Sequence, residues 1–432
     1  MRQRWWRRTS AAALVAATVT VVAGCGTGET GPPELVWYIN PDSGGQEEIA
    51  ARCSEAAGGA YTISVSTLPR ESSEQRQQLV RRLAANDASI DLMSLDPPYI
   101  PEFAQAGFLA PVPPDVAAAT TEGVVQSAID GATWNDQLVT IPFWANTQLL
   151  WYKKSVAEAA GLDMSQPVTW DQVIEAARSQ DTQIAAQGRR AESLVVWLNA
   201  LIESAGGSVI TQTADDPADV QLGLDSPESA RATEIMQTVA DSGLVSPAFT
   251  TAGEDENVAS FEAGDAGFMV NWPFVWPRAT SAVEEGTLEQ SVIDDYGWAI
   301  YPQVDAGTPS APPYGGINIG VGAFSRHPDL AFQATQCITS DENQAYYFAS
   351  NGNPASRLSV FDDPDVVAAF PMAPVIAQSL QQAVPRPQTA YYSEVSGSLQ
   401  RTYHPPTAVV PEQTGPAAAE LIRAVLSGEE LL

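Results

Sequence analysis

The feature that most constrains the fold is an alternation of short apolar runs with helical stretches early in the chain. Apolar runs occupy residues 35–39, 61–68 and 90–95, and helical patterns at 47–57 and 73–85 separate them. Strands that alternate with helices are typical of a parallel, doubly wound α/β sheet. The sequence therefore predicts an α/β fold, in which a ligand binds beyond the carboxyl ends of the strands.

The middle of the chain has a different pattern. From about residue 153 to about 295 it is largely helical, and strand patterns return at 298–301 and 317–321. A chain that leaves an α/β lobe near 140 and returns near 300 builds two lobes joined by more than one crossover. A cleft between such lobes is a natural ligand site, and the crossing segments act as hinges.

The N-terminus carries an export signal. Arginines precede a small apolar stretch, residues 11–23, that is too short for a membrane span. Cys25 follows small residues and resembles the cysteine of a bacterial lipobox, which implies cleavage before it and acylation of its thiol. An ordinary signal peptide with a chance cysteine is the alternative. The pair Arg7 and Arg8 leaves the export route, general secretory or twin-arginine, open.

These patterns divide the 432 residues, too many for one ordinary core, into four parts. They are a signal peptide (1–24), a tether (25–33), an α/β lobe 1 (34–140 plus 301–340) and a mainly helical lobe 2 (141–300 plus 341–432). We expect an exported protein, held by lipid on the outer face of the cytoplasmic membrane.

The formal net charge of −31 restricts the partners. Nucleic acid and anionic membrane surfaces both require a basic surface, and this chain has only two lysines, Lys153 and Lys154. The charge is best interpreted as a means of solubility that also keeps copies of the chain apart, so we expect a monomer.

Two further cysteines, Cys53 and Cys337, remain in the mature chain. An exported setting is oxidising, so we predict a disulfide between them, with two buried free thiols as the alternative. Neither His327 nor His404 lies at ligand spacing with a cysteine, so we expect no metal site and no cofactor.

Several segments, in order and over nearly the whole mature chain, resemble the solute-binding lipoproteins that feed sugar ABC importers, of the maltose-binding-protein type (extracellular solute-binding family 1). They are the lipobox at Cys25 and the stretches at 140–142, 150–152, 167–170, 261–269, 271–273 and 315–316. Each segment alone is a weak indication of the family, but their occurrence in this order is specific to it. The segment at 271–276 is similar to that of trehalose and maltose binders, and the chain is most like the mycobacterial trehalose-binding lipoproteins.

The resemblance implies a two-lobe periplasmic-binding-protein-like fold, each lobe a sheet flanked by helices, with a ligand cleft and hinge crossovers between them. It implies binding without chemistry: capture of a disaccharide, with trehalose favoured, and delivery to ABC permease subunits in the membrane. Maltose-like glucans or glycerophosphocholine, whose head group aromatic rings could hold, are alternative ligands.

Two other classes of protein stay open. A secreted glycosidase needs two carboxylates that flank a bond, but the chain has no nucleophile elbow, HExxH helix or Ser/His/Asp spacing. A structural or adhesive lipoprotein without a small ligand is the other class.

A sugar cleft needs aromatic rings for C–H faces and polar groups for hydroxyls. Trp272 ends a strand-like run and precedes a proline, and the resemblance implies a stacking tryptophan there. Phe268 is expected in the core. The ring of Trp276 either contacts the ligand or packs in the core. Asn271 either bonds a ligand hydroxyl or forms a turn.

Polar residues at predicted strand ends are further candidates. Asp96 ends a strand before two prolines, so we expect it to bind hydroxyls or to cap the next segment. Asn40 and Asp42 follow the first strand, where ordinary turn chemistry is the alternative. Trp144 and Asn146 lie just after the proposed hinge.

Glu254 and Glu256 precede a predicted helix. Their carboxylates either contact the sugar or interact favourably with the positive end of the helix dipole. Gly315 and Gly316 let the backbone approach the ligand, or form a tight turn.

Near the end of the chain, Arg386 and Tyr392 belong to a basic and aromatic cluster that also holds Arg401. We expect one arginine to bind hydroxyls and prefer Arg386.

Overall fold

The structure, a computed structural model, describes residues 31–241 and 243–432. Cys25 and the predicted signal peptide lie outside these residues. The strands are β1 (Glu34–Ile39), β2 (Thr62–Thr67), β3 (Leu92–Leu95), β4 (Thr133–Trp134), β5 (Gln137–Leu138), β6 (Ile141–Thr147), β7 (Leu149–Lys153), β8 (Gln183–Ala185), β9 (Ile210–Gln212), β10 (Gln221–Leu222), β11 (Ala266–Asn271), β12 (Tyr296–Ala299), β13 (Pro313–Val321) and β14 (Val384–Pro385).

Helices lie on and between the strands. They are α1 (Gly45–Ala56), α2 (Ser72–Leu83), α3 (Ile100–Gln105), α4 (Pro114–Thr121), α5 (Gln126–Asp130), α6 (Lys154–Ala159), α7 (Trp170–Ser179), α8 (Glu192–Ser204), α9 (Pro227–Asp241), α10 (Glu254–Ala263), α11 (Val275–Glu284), α12 (Gln290–Asp294), α13 (Pro328–Ile338), α14 (Asp341–Asn351), α15 (Pro364–Ala369), α16 (Ala373–Gln382), α17 (Tyr392–Tyr403) and α18 (Pro411–Leu426). Among the described residues no helix has both the length and the apolar character needed to cross a bilayer.

Lobe 1 is built on the larger sheet, in the order β14-β13-β3-β1-β2, with β6 paired to β13. Strands β2, β1 and β3 run parallel, as the alternation of strands and helices predicts. Strand β13 runs antiparallel to both β3 and β6. The parallel part brings the carboxyl ends of β1 and β3 to one edge of the sheet, where the sequence placed Asn40 and Asp96.

Lobe 2 is built on a four-stranded sheet in the order β12-β7-β11-β8. Helix α8 packs over it and is apolar nearly all round, since most of its side chains are buried. Helix α7 begins with a capping box, in which Thr169 and Gln172 bond each other's backbone N–H groups. Phe268 on β11 is fully buried, as predicted.

The predicted lobe boundaries need correction at three elements: β6, α14 and β14, the last of which was assigned to lobe 2 but pairs with β13 in the larger sheet. Strand β6 was assigned to lobe 2, but it pairs with β13 in the larger sheet. Helix α14 was also assigned to lobe 2, yet its Tyr347 stacks on Phe143 of β6, with ring centroids 5.3 Å apart. The boundary was placed near residue 140, but the chain stays in the larger sheet through β6 and changes sheets only after Thr147.

Within the described residues, the chain crosses between the lobes at three places. Strand β6 ends at Thr147 and β7 begins at Leu149, so Gln148 alone separates strands of different sheets. The other crossovers connect β12 to β13 and β14 to α17. Several short crossing segments are what a hinge requires.

Cys53 on α1 and Cys337 on α13 form a disulfide, with Cα atoms 5.8 Å apart. Both helices pack in the same apolar cluster beside the larger sheet. The bond therefore ties two sequence-distant parts of lobe 1 together.

Candidate ligand-binding site

A cavity of about 590 Å³ lies between the lobes. Lobe 1 contributes the carboxyl ends of β1 and β3, the start of α2 and the middle of β13. Lobe 2 contributes the starts of α8 and α10 and the residues after β11. Ten of the predicted ligand-binding residues line this cavity: Asn40, Asp96, Trp144, Asn146, Glu254, Glu256, Trp272, Gly315, Gly316 and Arg386.

Trp272 lies directly after β11, with its ring against the backbone of Gly315. A Cβ atom on Gly315 would come within 2.9 Å of that ring. Gly316 has a φ of +112°, and a Cβ there would lie 2.2 Å from the carbonyl oxygen of Trp144. Side chains rarely adopt this φ, so Gly316 requires glycine for the close packing of β13 on β6, whereas a side chain on Gly315 would press against the ring of Trp272.

Asn271 does not line the cavity, because its side chain is fully buried. Its Oδ1 accepts a hydrogen bond from the backbone N–H of Trp272 at 2.9 Å, and its Nδ2 donates to the carbonyl of Glu254 at 3.0 Å. Asn271 therefore fixes the backbone on which two cavity residues are carried. Of the two predicted roles of Asn271, turn former and hydroxyl partner, its contacts agree with the turn former.

Asp42 and Trp276 also lie away from the cavity. Asp42 accepts hydrogen bonds from the N–H groups of Gly44 and Gln46 at the start of α1, both at 2.9 Å. Trp276 lies on α11, where its ring packs edge-on against Trp298 and its Nε1 donates to a backbone carbonyl. Helix capping and core packing account for these two residues without a ligand.

Arg386 is held between two carboxylates at the floor of the cavity. Its Nη2 lies 2.6 Å from Asp96 Oδ1 and its Nη1 lies 2.6 Å from Glu192 Oε1, and its side chain is only 4% exposed. Burial opposes the charge on Arg386, but the two carboxylates outweigh it and keep its pKa well above the ordinary value. Arg386 therefore connects Asp96 of lobe 1 to Glu192 of lobe 2.

Tyr392 contacts Glu192, one of the two carboxylates that hold Arg386. It is fully buried, its hydroxyl donates to Glu192, and burial raises the pKa of that hydroxyl. Ser396 donates to the other oxygen of Glu192 at 2.6 Å. Tyr392 was expected to bind the ligand, but it instead orients a carboxylate that lines the cavity.

Two ion pairs cross the mouth of the cleft. Arg70, before α2 in lobe 1, bonds Asp255 on α10 in lobe 2. Arg189 in lobe 2 lies 3.5 Å from Glu71 in lobe 1. Pairs of this kind are exposed and screened by salt, so each contributes little to stability.

The two predicted glutamates of α10 have different surroundings. Glu256 accepts a hydrogen bond from the N–H of Gly253 at 2.8 Å, which lowers the pKa of its carboxyl. Burial raises the pKa of Glu254, since desolvation outweighs the opposing field of Arg189. Glu256 therefore caps the helix at the cavity edge, whereas Glu254 reaches the cavity as a poorly solvated carboxyl.

Sequence reasoning missed about half of the cavity lining. The missed residues are Pro41, Arg70, Glu71, Ser72, Gln75, Arg189, Glu192, Ser193, Val196, Asp255, Ile317 and Asn353, and Phe274, which the sequence left open between ligand and core, also lines the cavity. The strand-end rule that found Asp96 applies equally to the segment after β2, so it could have found Arg70 and Glu71. Glu192 was missed because it precedes the apolar run that marks helix α8, and its contacts to Arg386 and Tyr392 come from the far end of the chain.

Four cavity-lining residues keep a buried polar atom without a hydrogen-bond partner in the described part of the chain. These atoms are Asn40 Oδ1, Trp144 Nε1, Ser193 Oγ and Arg386 Nε. A buried polar atom without a partner costs about 1–3 kcal/mol. Hydroxyl groups, which both donate and accept, could pair with each of them.

The sequence matches the family described as bacterial extracellular solute-binding proteins over residues 43–345. It is 23% identical to a probable ABC transporter-binding protein of Deinococcus radiodurans, over 78% of this chain and 80% of that protein. It is 24% identical to a mannitol-binding protein of Pseudomonas aeruginosa, over 76% of this chain and 74% of that one.

Solved structures have the same fold. Maltose-bound MalE3 of T. maritima has a TM-score of 0.76 and 25% identity, and the match covers 92% of this chain and 100% of that one. The cyclic alpha-maltosyl-1,6-maltose binding protein of Arthrobacter globiformis has a TM-score of 0.73 and 21% identity, with coverage of 92% and 100%. The predicted two-lobe α/β class is confirmed.

Proposed function

Because the chain belongs to the bacterial extracellular solute-binding proteins, we propose that it captures a disaccharide, with trehalose favoured, in the cleft between its lobes. It serves an ABC transporter of sugars or polyols, and its relatives support that class. The preference for trehalose rests on the similarity of residues 271–276 to trehalose and maltose binders.

One observation carries the proposal: a single cavity combines an indole platform with buried, unpaired polar atoms. Trp272 offers a flat apolar surface for the C–H face of a sugar ring. Asn40, Ser193 and Arg386 offer donors and acceptors for hydroxyls. The cavity volume of about 590 Å³ lies within the range of about 300–1,000 Å³ that is usual for small-molecule sites.

The mechanism is binding without chemistry. The sugar touches Trp272 of lobe 2 and the strand ends of lobe 1, so it binds the closed arrangement better than an open one. It shifts the lobes toward closure only by that difference in affinity. The closed protein then delivers its ligand to permease subunits in the membrane.

We propose that the protein is exported and that a lipid on Cys25 holds it at the outer face of the cytoplasmic membrane. Several acyl chains on one residue form a firmer anchor than a single chain. Maltose-like glucans are the favoured alternative ligands, since the T. maritima neighbour at 25% identity was solved with maltose. Glycerophosphocholine and a secreted glycosidase are weaker alternatives, because no contact in the cleft favours either one.

Isothermal titration calorimetry of the mature chain (residues 25–432) tests the proposal with trehalose, maltose, mannitol, glucose and glycerophosphocholine. We expect saturable binding of trehalose that Trp272→Ala weakens and Trp276→Ala leaves in place, since Trp276 lies outside the cleft. Binding of maltose without trehalose would replace the ligand but keep the class. Release of glucose from trehalose would show an enzyme, and the lack of binding to any of the five compounds would overturn the proposal.

A further inference from the structure

The cavity between the lobes has an uneven balance of charge. Six carboxylates line it, against three guanidinium groups, which leaves an excess of three negative charges. The carboxylates are Glu71, Asp96, Glu192, Glu254, Asp255 and Glu256, and the guanidinium groups are Arg70, Arg189 and Arg386. Clefts with low-dielectric walls concentrate such a field, so the charge of a ligand matters here more than on an open surface.

Each of the three arginines already faces a carboxylate. Arg70 bonds Asp255 and Arg189 lies 3.5 Å from Glu71. Arg386 is held by two carboxylates at 2.6 Å, so its charge is more than balanced even though its Nε–H has no partner. A phosphate or carboxylate entering this cavity would therefore compete with protein carboxylates for every lining guanidinium.

Glu254 is a lining carboxylate without an ion pair to any described residue. Its own backbone N–H and the field of Arg189 favour its negative charge, whereas desolvation and the fields of Glu71 and Asp255 oppose it. Burial raises the pKa of this carboxyl because the charged form is poorly solvated. Glu254 is half-buried in the cavity wall, and a poorly solvated carboxylate without a counter-ion is unfavourable, so an ammonium group brought by the ligand would supply the missing charge.

Glu256 differs from Glu254 although it is only two residues away. Its carboxylate accepts the N–H of Gly253 at the start of α10 and is exposed to solvent. The hydrogen bond and the surrounding solvent together stabilise the negative charge of Glu256. A ligand amine therefore gains more from Glu254 than from Glu256.

We propose that the cleft selects glycosides by charge: it accepts uncharged and amine-bearing glycosides, with Glu254 as the partner of the amine, and it excludes phosphorylated and carboxylated ones. This inference rests on the proposed function, since it describes the same cavity. It adds a ligand class, the amino sugars, to the neutral disaccharides.

The test compares three ligands that share one skeleton: trehalose, its 2-amino-2-deoxy analogue and trehalose 6-phosphate. Glucose, glucosamine and glucose 6-phosphate form a parallel set of smaller probes. Isothermal titration calorimetry of the mature chain at low ionic strength reports the ratio of each charged ligand's Kd to that of its neutral parent. We expect the amine to bind at least as tightly as its parent and the phosphate to bind at least about tenfold more weakly.

Two variants assign the effect to Glu254. In Glu254→Gln the advantage of the amine over the neutral parent should disappear, whatever happens to the affinity for the parent itself. Glu289→Gln makes the same change of charge at an exposed position outside the cleft, where the side chain caps nothing, and should keep the wild-type ratio. An amine preference that survives Glu254→Gln would overturn the role of Glu254.

The outcomes separate this inference from the proposed function. Phosphorylated ligands that bind as tightly as their neutral parents would overturn charge selection while the sugar-binding function stands. Binding of the neutral parents with loss of the amines would overturn the amino-sugar class alone. If no compound in either set binds, the proposed function and this inference both fall.

Discussion

The ring of Trp272 lies against Gly315, so closely that a Cβ atom on Gly315 would come within 2.9 Å of the indole. Gly315 belongs to β13 in lobe 1, whereas Trp272 follows β11 in lobe 2. The contact therefore joins the two lobes inside the cleft. Because Gly315 has no side chain, the ring of Trp272 can occupy this position in the cleft.

Gly315→Ala should displace this ring and weaken ligand binding. Overpacking of a tight contact costs about 1–3 kcal/mol, so we expect affinity for the neutral disaccharide to fall by about tenfold in calorimetric titrations. The free energy of unfolding should change less, because Trp272 is only half-buried and can move.

A double-mutant cycle provides the control. If Gly315→Ala acts through the ring, adding it to Trp272→Ala should cause no further loss of affinity. Additive losses would mean that Gly315 acts on the ligand directly and not through Trp272.

Arg386→Met should destabilise the fold strongly. Asp96 and Glu192 would then be left as two largely buried carboxylates without their shared cation. Breaking a buried pair in this way costs about 3–5 kcal/mol, which urea unfolding at neutral pH would measure. Adding Glu192→Gln to Arg386→Met should restore part of the loss, and a loss below about 1 kcal/mol in the single variant would contradict the assignment.

The sequence predicted the parts of the site that follow from local periodicity. Asn40 and Asp96 were found because each ends a strand, and parallel strands bring their carboxyl ends to one edge. Gly315 was found because a glycine allows close approach to the backbone, although the group that approaches it is an indole ring. Trp272 was found from its position at the end of a strand-like run together with a family likeness.

The rest of the site depends on packing between segments that are distant in the sequence. Trp276 and Trp272 are four residues apart, yet the turn after β11 and the start of α11 send one ring to the core and the other to the cleft. Glu192 and Tyr392 meet only because α8 and α17 pack together. A one-dimensional pattern contains no signal for either arrangement.

The ion pairs at the cleft mouth predict a modest dependence of ligand affinity on salt. Arg70–Asp255 and Arg189–Glu71 form only when the lobes are close, so screening them should disfavour closure. We expect affinity for a neutral sugar to fall by about twofold to fivefold between low and high ionic strength, measured by calorimetry.

Removing both arginines should remove this dependence. The variant with Arg70→Gln and Arg189→Gln is expected to bind with nearly the same affinity at both ionic strengths. Arg52→Gln is the matched control, since Arg52 pairs with Glu48 inside α1 and does not cross the cleft. An equal salt dependence in all three proteins would show that the pairs at the mouth do not act on closure.

Loss of the disulfide should lower stability without changing ligand affinity. Cys53 and Cys337 both belong to lobe 1, the loop between them has a sequence separation of 284 and includes the lobe 2 sheet, and neither residue lines the cavity. Replacing both with serine should reduce the free energy of unfolding by about 2–5 kcal/mol in urea titrations. A large loss of sugar affinity under conditions where the variant is folded would contradict this separation of roles.

Glu203→Gln should stabilise the protein at pH 8 but not at pH 4.5. Burial on α8 raises the pKa of the Glu203 carboxyl from its ordinary value of 4.5 to about 7, although Ser208 donates to it. Between these values the folded state binds more protons than the unfolded state, so the contribution of Glu203 to stability is present below pH 4.5 and is lost as the pH rises through 7.

The amide of glutamine stays neutral at both values, so the difference between variant and wild type isolates this one group. Allowing for the partial exposure of Glu203, we expect the variant to be more stable by about 1–2 kcal/mol at pH 8, with no advantage at pH 4.5. Urea unfolding at the two pH values measures both differences. Glu420→Gln, at an exposed position of α18, should show no such change with pH. If Glu203→Gln gives the same difference at both values, the carboxyl ionises alike in the folded and unfolded chain and its burial has no energetic consequence.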